Sequence, residues 1–378
     1  MAILTEEQTM LKDAAKGWVR ERSPVSALRT LRDADVDVGF DRAAWAEMGQ
    51  MGWAGVVVPG AQGGSEFGYR SLGLVLEETG RTLVNSPLVS TALFAASVLT
   101  LGGSAAQKDA WLGKIAEASA VIGPAIDEHA HHAPAKTALS AIKSGEGWSL
   151  TGKKPFVLDG IAADAFIVAA RTSGQAGDEP GITLFLVPAD AKGLSRTRLQ
   201  TVDSRGAADV SFDGVSVGAD AVIGPVDEGF GLLDQALDRA RAGLAAEMLG
   251  QASQAFEITL EYLKTRVQFG QVIGTFQSLQ HRAAKMFTEL EMTRSCVEAA
   301  LDAIDGSAND VRALCSLAKA KASETVHLVS NEKVQMHGGI GMTDAHDAGL
   351  YMKRARVSEA LFGGASFHRD RYASLMGY

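Results

Sequence analysis

The sequence lacks the short motifs that usually mark nucleotide binding or hydrolysis. No G-x-G-x-x-G follows a strand-like segment, no Walker loop occurs, and neither H-E-x-x-H nor G-x-S-x-G is present. These absences leave a Rossmann fold and a hydrolase without support.

Cysteine is scarce, and the chain shows no motif for a metal site. Cys296 and Cys315 both fall in helical patterns with no second ligand at zinc-like spacing. We expect buried reduced thiols rather than a disulfide or a metal site. Three histidines cluster in "EHAHHAPAK" (His129, His131 and His132), without spaced carboxylates or cysteines, which favours a polar loop.

Long apolar runs and runs of basic residues are also missing. The net charge is −9 with Lys and Arg scattered, which argues against nucleic acid or an anionic membrane as the main partner. The longest apolar run, "TALFAASVLTL", is too short to span a bilayer, and the first residues lack an apolar signal core. We expect a cytoplasmic protein.

What the sequence does contain is a helix–strand–helix pattern over 378 residues, enough for two or three domains. Residues 1–118 show helical spacing, with Thr5 and Gln8 placed as a capping box and a glycine-rich connector, "VVVPGAQGGSEFG". Residues 119–227 carry short β-rich runs such as "AFIVAA", "GITLFLVPAD" and "DVSFDGVSV". Long helical segments return in 228–378, which predicts an α+β fold ending in a helical bundle.

The stretch "TRVQFGQVIGTFQSLQHRAAK" breaks this last helical pattern with Gly270 and Gly274. Glycine inside a helix costs about 0.5–1 kcal/mol relative to alanine, so a single long helix gives no reason for two of them. The sequence predicts a turn here between two helices.

With this break, R-x-x-F-G-x-x-I-G-x-F-Q, the chain resembles the acyl-CoA dehydrogenases from end to end. The matching segments are "MGWAGVVVPGAQGGSEFG" and "LEETGR" near the start, "LTGKKPFVLDG" in the middle and "VQMHGGIGMT" near the end. The resemblance implies FAD, proton abstraction from Cα of an acyl-CoA thioester and hydride transfer from Cβ to flavin N5. It places the chain in fatty acid or lipid metabolism.

The resemblance also implies flavin-binding residues, which the family uses partly across a dimer interface. A planar guanidinium suits a pyrophosphate, glycines let backbone approach closely, and amides can bond the adenosine half. A surface helix hairpin is the alternative for the turn. The implied residues are Arg266, Phe269, Gln277, Gln335, Gly338 and Gly339.

In the middle segment the resemblance is incomplete. Phe156 stands where the family has an aromatic beside the flavin ring, with core packing as the alternative, and Leu158 where a hydroxyl residue is common. The family's T-E-P…G-S-D loop corresponds to "AIDEHAHHAPAK", which does not match it.

The catalytic base is the sharpest departure. Phe362 stands at the glutamate of the family's Y-E-G-T turn, and Ala240 at the alternative glutamate position of branched-chain members. Seven residues beyond Ala240, on the same helical stripe about 10 Å along, lies Glu247 in small apolar surroundings. We predict either that Glu247 is the base or that it forms a buried structural ion pair.

Substrate contacts are implied at four positions. Arg241 matches a residue at the thioester end of the pocket, and Leu237 and Asp238 match positions along the CoA arm, with a solvated helix face as the alternative for Asp238. The backbone N–H of Phe362 could still bond the thioester oxygen.

Three functions are open at this point. The first is an acyl-CoA dehydrogenase with a relocated base, passing electrons to electron-transfer flavoprotein or a similar acceptor. The second is a subunit that completes the flavin site of a partner chain, and the third is a related flavin monooxygenase. We expect a tetramer, either a homotetramer or a heterotetramer with a sister subunit.

Overall fold

The computed structural model describes residues 4–378. Its N-terminal part is mostly helical, its middle part is a β-sheet and its C-terminal part is again helical, which confirms the predicted α+β fold. The N-terminal helices are α1 (Glu6–Glu21), α2 (Val25–Asp33), α3 (Arg42–Gln50), α4 (Tyr69–Arg81), α5 (Ala96–Gly102) and α6 (Ala105–Ala116).

The first helix begins where its capping residues predict. Thr5 accepts a hydrogen bond from the backbone N–H of Gln8, whose side chain reaches back to the N–H of Thr5. This reciprocal pair satisfies two of the N–H groups that a helix start leaves open.

The middle part is a mixed eight-stranded sheet. The strands are β1 (Ile122–Ala125), β2 (Ser140–Ser144), β3 (Gly147–Val157), β4 (Ala165–Arg171), β5 (Ile182–Pro188), β6 (Leu194–Gln200), β7 (Gly206–Val217) and β8 (Val222–Ile223). Along the sheet they follow the order β6-β7-β3-β2-β4-β5-β8, and β1 pairs in parallel with β4.

The core of this sheet comes from the β-rich runs of the sequence. Phe166 and Val168 of β4 pack with Phe185 and Val187 of β5, and Trp148 meets Phe185 edge to face at 5.7 Å between ring centroids. Alternating side chains on adjacent strands bury one continuous apolar face.

The C-terminal part consists of five helices and a small hairpin. These elements are α7 (Gly229–Thr265), β9 (Val267–Gln268), β10 (Gln271–Val272), α8 (Gln277–Asp305), α9 (Val311–His337), α10 (Ala348–Ala360) and α11 (Ala365–Leu375). Helix α9 packs against α8, α10 and α11.

Contacts divide the chain into two compact units that do not follow sequence order. One unit consists of residues up to 29, 69–84 and 241–378, and the other of 30–68 and 85–240. The three sequence domains therefore stay a prediction.

In the first unit, glycines let α4 and α7 cross with their backbones in contact. A Cβ on Gly80 would lie 2.1 Å from the carbonyl oxygen of Glu247, and one on Gly250 would lie 1.8 Å from that of Glu77. Neither position has room for a side chain. This crossing fixes Glu247 in the interior of the unit.

Candidate functional site

The two glycines that break the helical pattern have different roles. Between α7 and α8 the chain forms a two-residue β-hairpin, in which Phe269 and Gly270 both have positive φ, 52° and 77°. Two consecutive left-handed residues make the tight turn typical of such hairpins. Gly274 instead allows close packing, since a Cβ there would lie 2.7 Å from the carbonyl oxygen of Leu263. The predicted turn is present, although the sequence did not indicate its strands.

The hairpin presents an aromatic ring to its surroundings. Phe269 is 91% exposed, the most exposed phenylalanine in the described chain. It combines an exposed apolar ring with a left-handed backbone that only glycine adopts without cost. Within the unit the ring meets Phe276 edge to face at 6.3 Å between ring centroids, which leaves most of its apolar surface available for a contact outside the unit.

Three polar side chains predicted to bind the cofactor also point away from the unit. Arg266, Gln277 and Gln335 are exposed, and none of their side chains makes a hydrogen bond or ion pair with residues 4–378. An exposed guanidinium and two amides with all their donors available are a suitable donor set for a phosphate and a nucleoside.

The same end of the unit carries the glycine turn after α9. Gly338 has φ 64° and ψ −140°, and a Cβ on either Gly338 or Gly339 would meet no atom within 4 Å. Tyr262, one turn before Arg266, stacks on His337 at 4.3 Å between ring centroids and so connects the end of α7 with the end of α9. The open glycine backbone fits the close approach of a pyrophosphate.

His337 is held neutral behind this turn. Burial lowers the pKa of His337 to about 4, and its Nδ1 lies 2.6 Å from the carbonyl oxygen of Lys333. Because a carbonyl only accepts, Nδ1 carries the proton. His337 thus adds no positive charge next to Gly338 at neutral pH.

A second group of predicted residues meets at the turn between α10 and α11. Phe362 is buried and has φ 56°, and it is followed by Gly363 with φ 103°. Its carbonyl oxygen accepts from Nε2 of His368 at 3.0 Å and from Nε of Arg241 at 3.4 Å. The turn therefore has a strained backbone at Phe362, the position where the resemblance leads one to expect a glutamate.

Glu247 lies elsewhere in the same unit. Its carboxylate is buried, with Oε1 3.8 Å from Nη1 of the buried Arg354 on α10. This is the arrangement that the alternative interpretation from the sequence describes, a buried structural ion pair. The structure places Glu247 at the crossing of α4 and α7 and not at the Phe362 turn.

In the second unit, two alternatives left open by the sequence are wrong. Phe156 is 41% exposed with φ 52°, which is not the core packing considered for it. Asp238 is buried, as is Leu237, so a solvated helix face is excluded for it. Leu158 and Ala240 are buried as well.

The loop that departs from the family pattern is bonded to its own unit. Asp127 pairs with His132 at 2.7 Å, and Glu128 pairs with the buried Lys154 at 2.6 Å. The predicted polar loop is present, but its acidic side chains are directed inward. Of the two cysteines, Cys315 is buried as predicted while Cys296 is only partly buried.

Sequence reasoning missed Lys319 and His368, which surround the Phe362 turn. The signal was available for Lys319, because a stripe at spacings of four and three residues runs along α9 and contains two lysines. Its members are all buried: Cys315, Lys319, Ala322, Val326, Val329 and Lys333. A lysine on an otherwise apolar stripe is an unusual, informative position. His368 gave no comparable signal.

No helix within residues 4–378 is both long and apolar enough to cross a membrane.

Comparison with known proteins gives matches over nearly the whole chain. The family models described as acyl-CoA dehydrogenase N-terminal, middle and C-terminal domains match residues 5–119, 128–215 and 227–376. The mitochondrial short/branched chain specific acyl-CoA dehydrogenase of Bos taurus is 28% identical over 98% of this chain and 85% of its own length.

Two solved structures are similar in fold and sequence. A variant of the Tcur3481-Tcur3483 steroid ACAD superposes with a TM-score of 0.89 and 33% identity, covering 98% of both chains. The ChsE4-ChsE5 complex from Mycobacterium tuberculosis gives a TM-score of 0.90 and 25% identity over the full length of both chains.

Proposed function

We infer the function from one premise, that the chain belongs to the acyl-CoA dehydrogenase family. It is accordingly an FAD-dependent oxidoreductase that dehydrogenates an acyl-CoA thioester between Cα and Cβ. Bound FAD supplies the acceptor for the hydride, and the chain's own residues bind, orient and shield the reacting groups.

We propose that Arg266, Gln277 and Gln335 bind the adenosine diphosphate half of FAD, with Gly338 and Gly339 giving close backbone contact. The observation that carries this proposal is that all three side chains are exposed and without a partner in the described chain, beside an open glycine turn. Phe269 adds an apolar surface. Because the whole set faces outward, we propose that it serves a flavin shared with a neighbouring chain.

In the second unit, Phe156 is the proposed contact for the flavin ring. It is half-exposed, and its backbone N–H donates to Asp209 Oδ1 at 3.1 Å, which holds the left-handed conformation. The side chain is therefore available for stacking rather than consumed in the core.

For the substrate, we propose that the Phe362 turn contacts the thioester. Arg241 and His368 both donate to the carbonyl of Phe362, and these hydrogen bonds orient the turn. Neither of them uses the backbone N–H of Phe362. A fixed backbone N–H is a suitable donor to the oxygen that becomes negative as the α-proton leaves. Leu237 and Asp238 stay the proposed contacts of the CoA arm.

The proton acceptor stays a prediction from the sequence. Neither Phe362 nor Ala240 can accept a proton, which leaves Glu247 as the predicted base. Its pair with Arg354 favours a structural role, because its negative charge faces a guanidinium within the unit.

The second candidate function is a subunit that completes the flavin site of a partner chain. One observation favours it: the outward-facing residues are retained, whereas the turn that should carry the base holds Phe362. A heteromeric assembly would place the base on the sister chain. A tetramer, an electron-transfer flavoprotein acceptor and a cytoplasmic location are also proposals.

Purification of the chain alone distinguishes the two functions. One flavin per chain together with acyl-CoA-dependent dye reduction supports the dehydrogenase. A flavin content well below one per chain without dye reduction, restored on co-expression with a sister acyl-CoA dehydrogenase, supports the partner subunit. Native mass spectrometry of the co-expressed protein gives the subunit composition.

A further inference from the structure

Lys319 of α9 is completely buried and directs its ammonium group at the turn that follows α10. Its Nζ donates to the carbonyl oxygens of Ser358 at 3.0 Å, Glu359 at 3.1 Å and Gly363 at 2.9 Å. The hydroxyl of Ser323 lies 3.2 Å away as a fourth acceptor. Four oxygens around a group with three protons leave no donor without a partner.

Two of these acceptors are carbonyls that the end of a helix leaves open. Ser358 and Glu359 belong to the last turn of α10, where the carbonyls carry the negative end of the helix dipole. A cation at this position satisfies the carbonyls and the dipole together. Because Lys319 also donates to the carbonyl of Gly363, it connects the end of α10 with the turn that follows.

The backbone of this turn is strained, so neighbouring groups must hold it in place. Phe362 has φ 56°, which side chains other than glycine rarely adopt, and a Cβ on Gly363 would lie 2.5 Å from Phe367. His368 donates from Nε2 to the Phe362 carbonyl at 3.0 Å. Such a conformation persists only where its surroundings determine it.

We propose that Lys319 is a positioning residue that keeps the Phe362–Gly363 turn formed, together with His368. Lys319 holds the carbonyl of Gly363 while His368 holds that of Phe362. The structural part stands on the geometry alone. The consequence for the thioester rests on the proposed function, in which this turn contacts the substrate.

The charge of Lys319 links the turn to pH. Burial lowers the pKa of Lys319 to about 7, opposed by the Glu359 carboxylate and reinforced by Arg241 of α7. His368 of α11 faces the same turn. Arg371 lies one helical turn further along α11 and donates a hydrogen bond to the hydroxyl of Ser316 at 2.6 Å. Above the pKa, the amine has two protons for four acceptors. We therefore expect the turn to be more stably formed below pH 7 than above it.

Hydrogen exchange in the protein as purified, without added acyl-CoA, tests the positioning role. We expect Lys319→Met, which keeps the length of the side chain, to speed exchange in a peptide covering residues 361–368 by at least about tenfold. In the unchanged protein, exchange corrected for its intrinsic pH dependence should rise from pH 6 to pH 8.5, and this rise should disappear in Lys319→Met.

Lys333→Met is the matched control. Lys333 lies on the same buried stripe of α9, and burial likewise lowers its pKa to about 7, but its ammonium faces the ring of Tyr351 at 4.0 Å. Its replacement should leave peptide 361–368 unchanged. Equal acceleration in both variants would mean a general loss of packing and would overturn the proposal. If Lys319→Met does not fold, the pH dependence of the unchanged protein decides, and a flat profile overturns the proposal.

Binding of butyryl-CoA to the flavin-loaded protein, measured by calorimetry, separates this proposal from the proposed function. We expect Lys319→Met to raise the dissociation constant at least about fivefold and Lys333→Met to leave it within about twofold. If the exchange pattern holds but the unchanged protein binds no butyryl-CoA, the positioning role stands and the substrate assignment of the turn fails. An unchanged exchange rate in Lys319→Met overturns the positioning role whatever the affinity.

Discussion

Nη1 of Arg354 lies 3.8 Å from Oε1 of Glu247, and both side chains are buried between helices of one unit. A buried ion pair is costly to break because the remaining charge has lost its partner. We expect Glu247→Gln to lower the free energy of unfolding by about 3–5 kcal/mol, measured by urea unfolding.

The double variant Glu247→Gln with Arg354→Met serves as the control for this pair. It removes both charges and should regain most of the lost stability. The opposite result would be a stable Glu247→Gln protein that binds flavin and acyl-CoA but no longer bleaches the flavin. That outcome would identify Glu247 as the base, as the sequence predicts.

Replacing Arg266 tests the outward-facing cofactor set. Arg266→Ala removes an exposed guanidinium without an intrachain partner, so folding should be unaffected while flavin content falls. The measurement is the flavin absorbance per chain after gel filtration at low protein concentration. Lys264→Ala, two residues earlier and also exposed, should keep its flavin. Full flavin in Arg266→Ala would remove Arg266 from the site.

Phe362→Glu places a carboxylate on a turn whose left-handed backbone already accommodates a large side chain. The site is buried, which disfavours the charged form and makes the carboxylate a stronger base. We expect flavin reduction by butyryl-CoA to accelerate by at least about 10²-fold, the usual contribution of a positioned base. Phe362→Gln is the control and should show no gain. A slow Phe362→Glu protein would mean that the turn does not face Cα of the substrate.

Gly250→Ala tests the crossing of α4 and α7. The new methyl group would lie 1.8 Å from the carbonyl oxygen of Glu77, so we expect a loss of several kcal/mol, beyond the roughly 1–3 kcal/mol usual for overpacking. Gly231→Ala lies in the same helix where a Cβ meets no atom within 4 Å, and should be neutral or stabilising by up to about 1 kcal/mol. Thermal unfolding compares the two, and equal melting temperatures would contradict the close crossing.

His337 makes a defined contribution to acid sensitivity. Its pKa is about 4 in the folded chain, below that of an exposed histidine near 6.5. Between these values the unfolded chain binds the extra proton, so stability falls as the pH drops from about 6.5 to about 4. His337→Phe keeps a ring against Tyr262 and should show a shallower loss of unfolding free energy between pH 7 and pH 4.5. Identical slopes would show that His337 is not kept neutral.

Local patterns predicted the fold well where one segment alone determines the structure. The capping box at Thr5 and the apolar runs of β4 and β5 are examples, because their signals lie within a few consecutive residues. Strands β1, β2 and β6 were missed. Gly123 and Pro124 interrupt β1, and β6, "LSRTRLQ", is a polar strand at the end of the sheet order, so neither of these two shows a buried alternating pattern. In β2, Ile142 is exposed, so its apolar residues do not alternate with polar ones on a buried face.

The candidate site was only partly accessible from the sequence. The resemblance indicated Phe362 at the position of the base, but not that its backbone is left-handed, since φ at a residue other than glycine depends on tertiary contacts. Lys319 contacts this turn from α9, which lies well before it in the sequence, and His368 contacts it from α11, which follows it. No local pattern encodes such a convergence. The partner of Glu247, 107 residues later, was likewise beyond a single-sequence argument.

The hairpin that carries Phe269 has a thermodynamic consequence for association. Ordering a mobile residue costs about 1–2 kcal/mol of backbone entropy, and a flexible loop of the same length would incur that cost each time it docked. Here the strand pairs Gln271 with Gln268 and Val272 with Val267 fix the loop before any contact is made. The backbone that carries the ring is therefore ordered beforehand. A surface that receives the ring does not have to order this loop, and the smaller entropy cost should appear as slower dissociation.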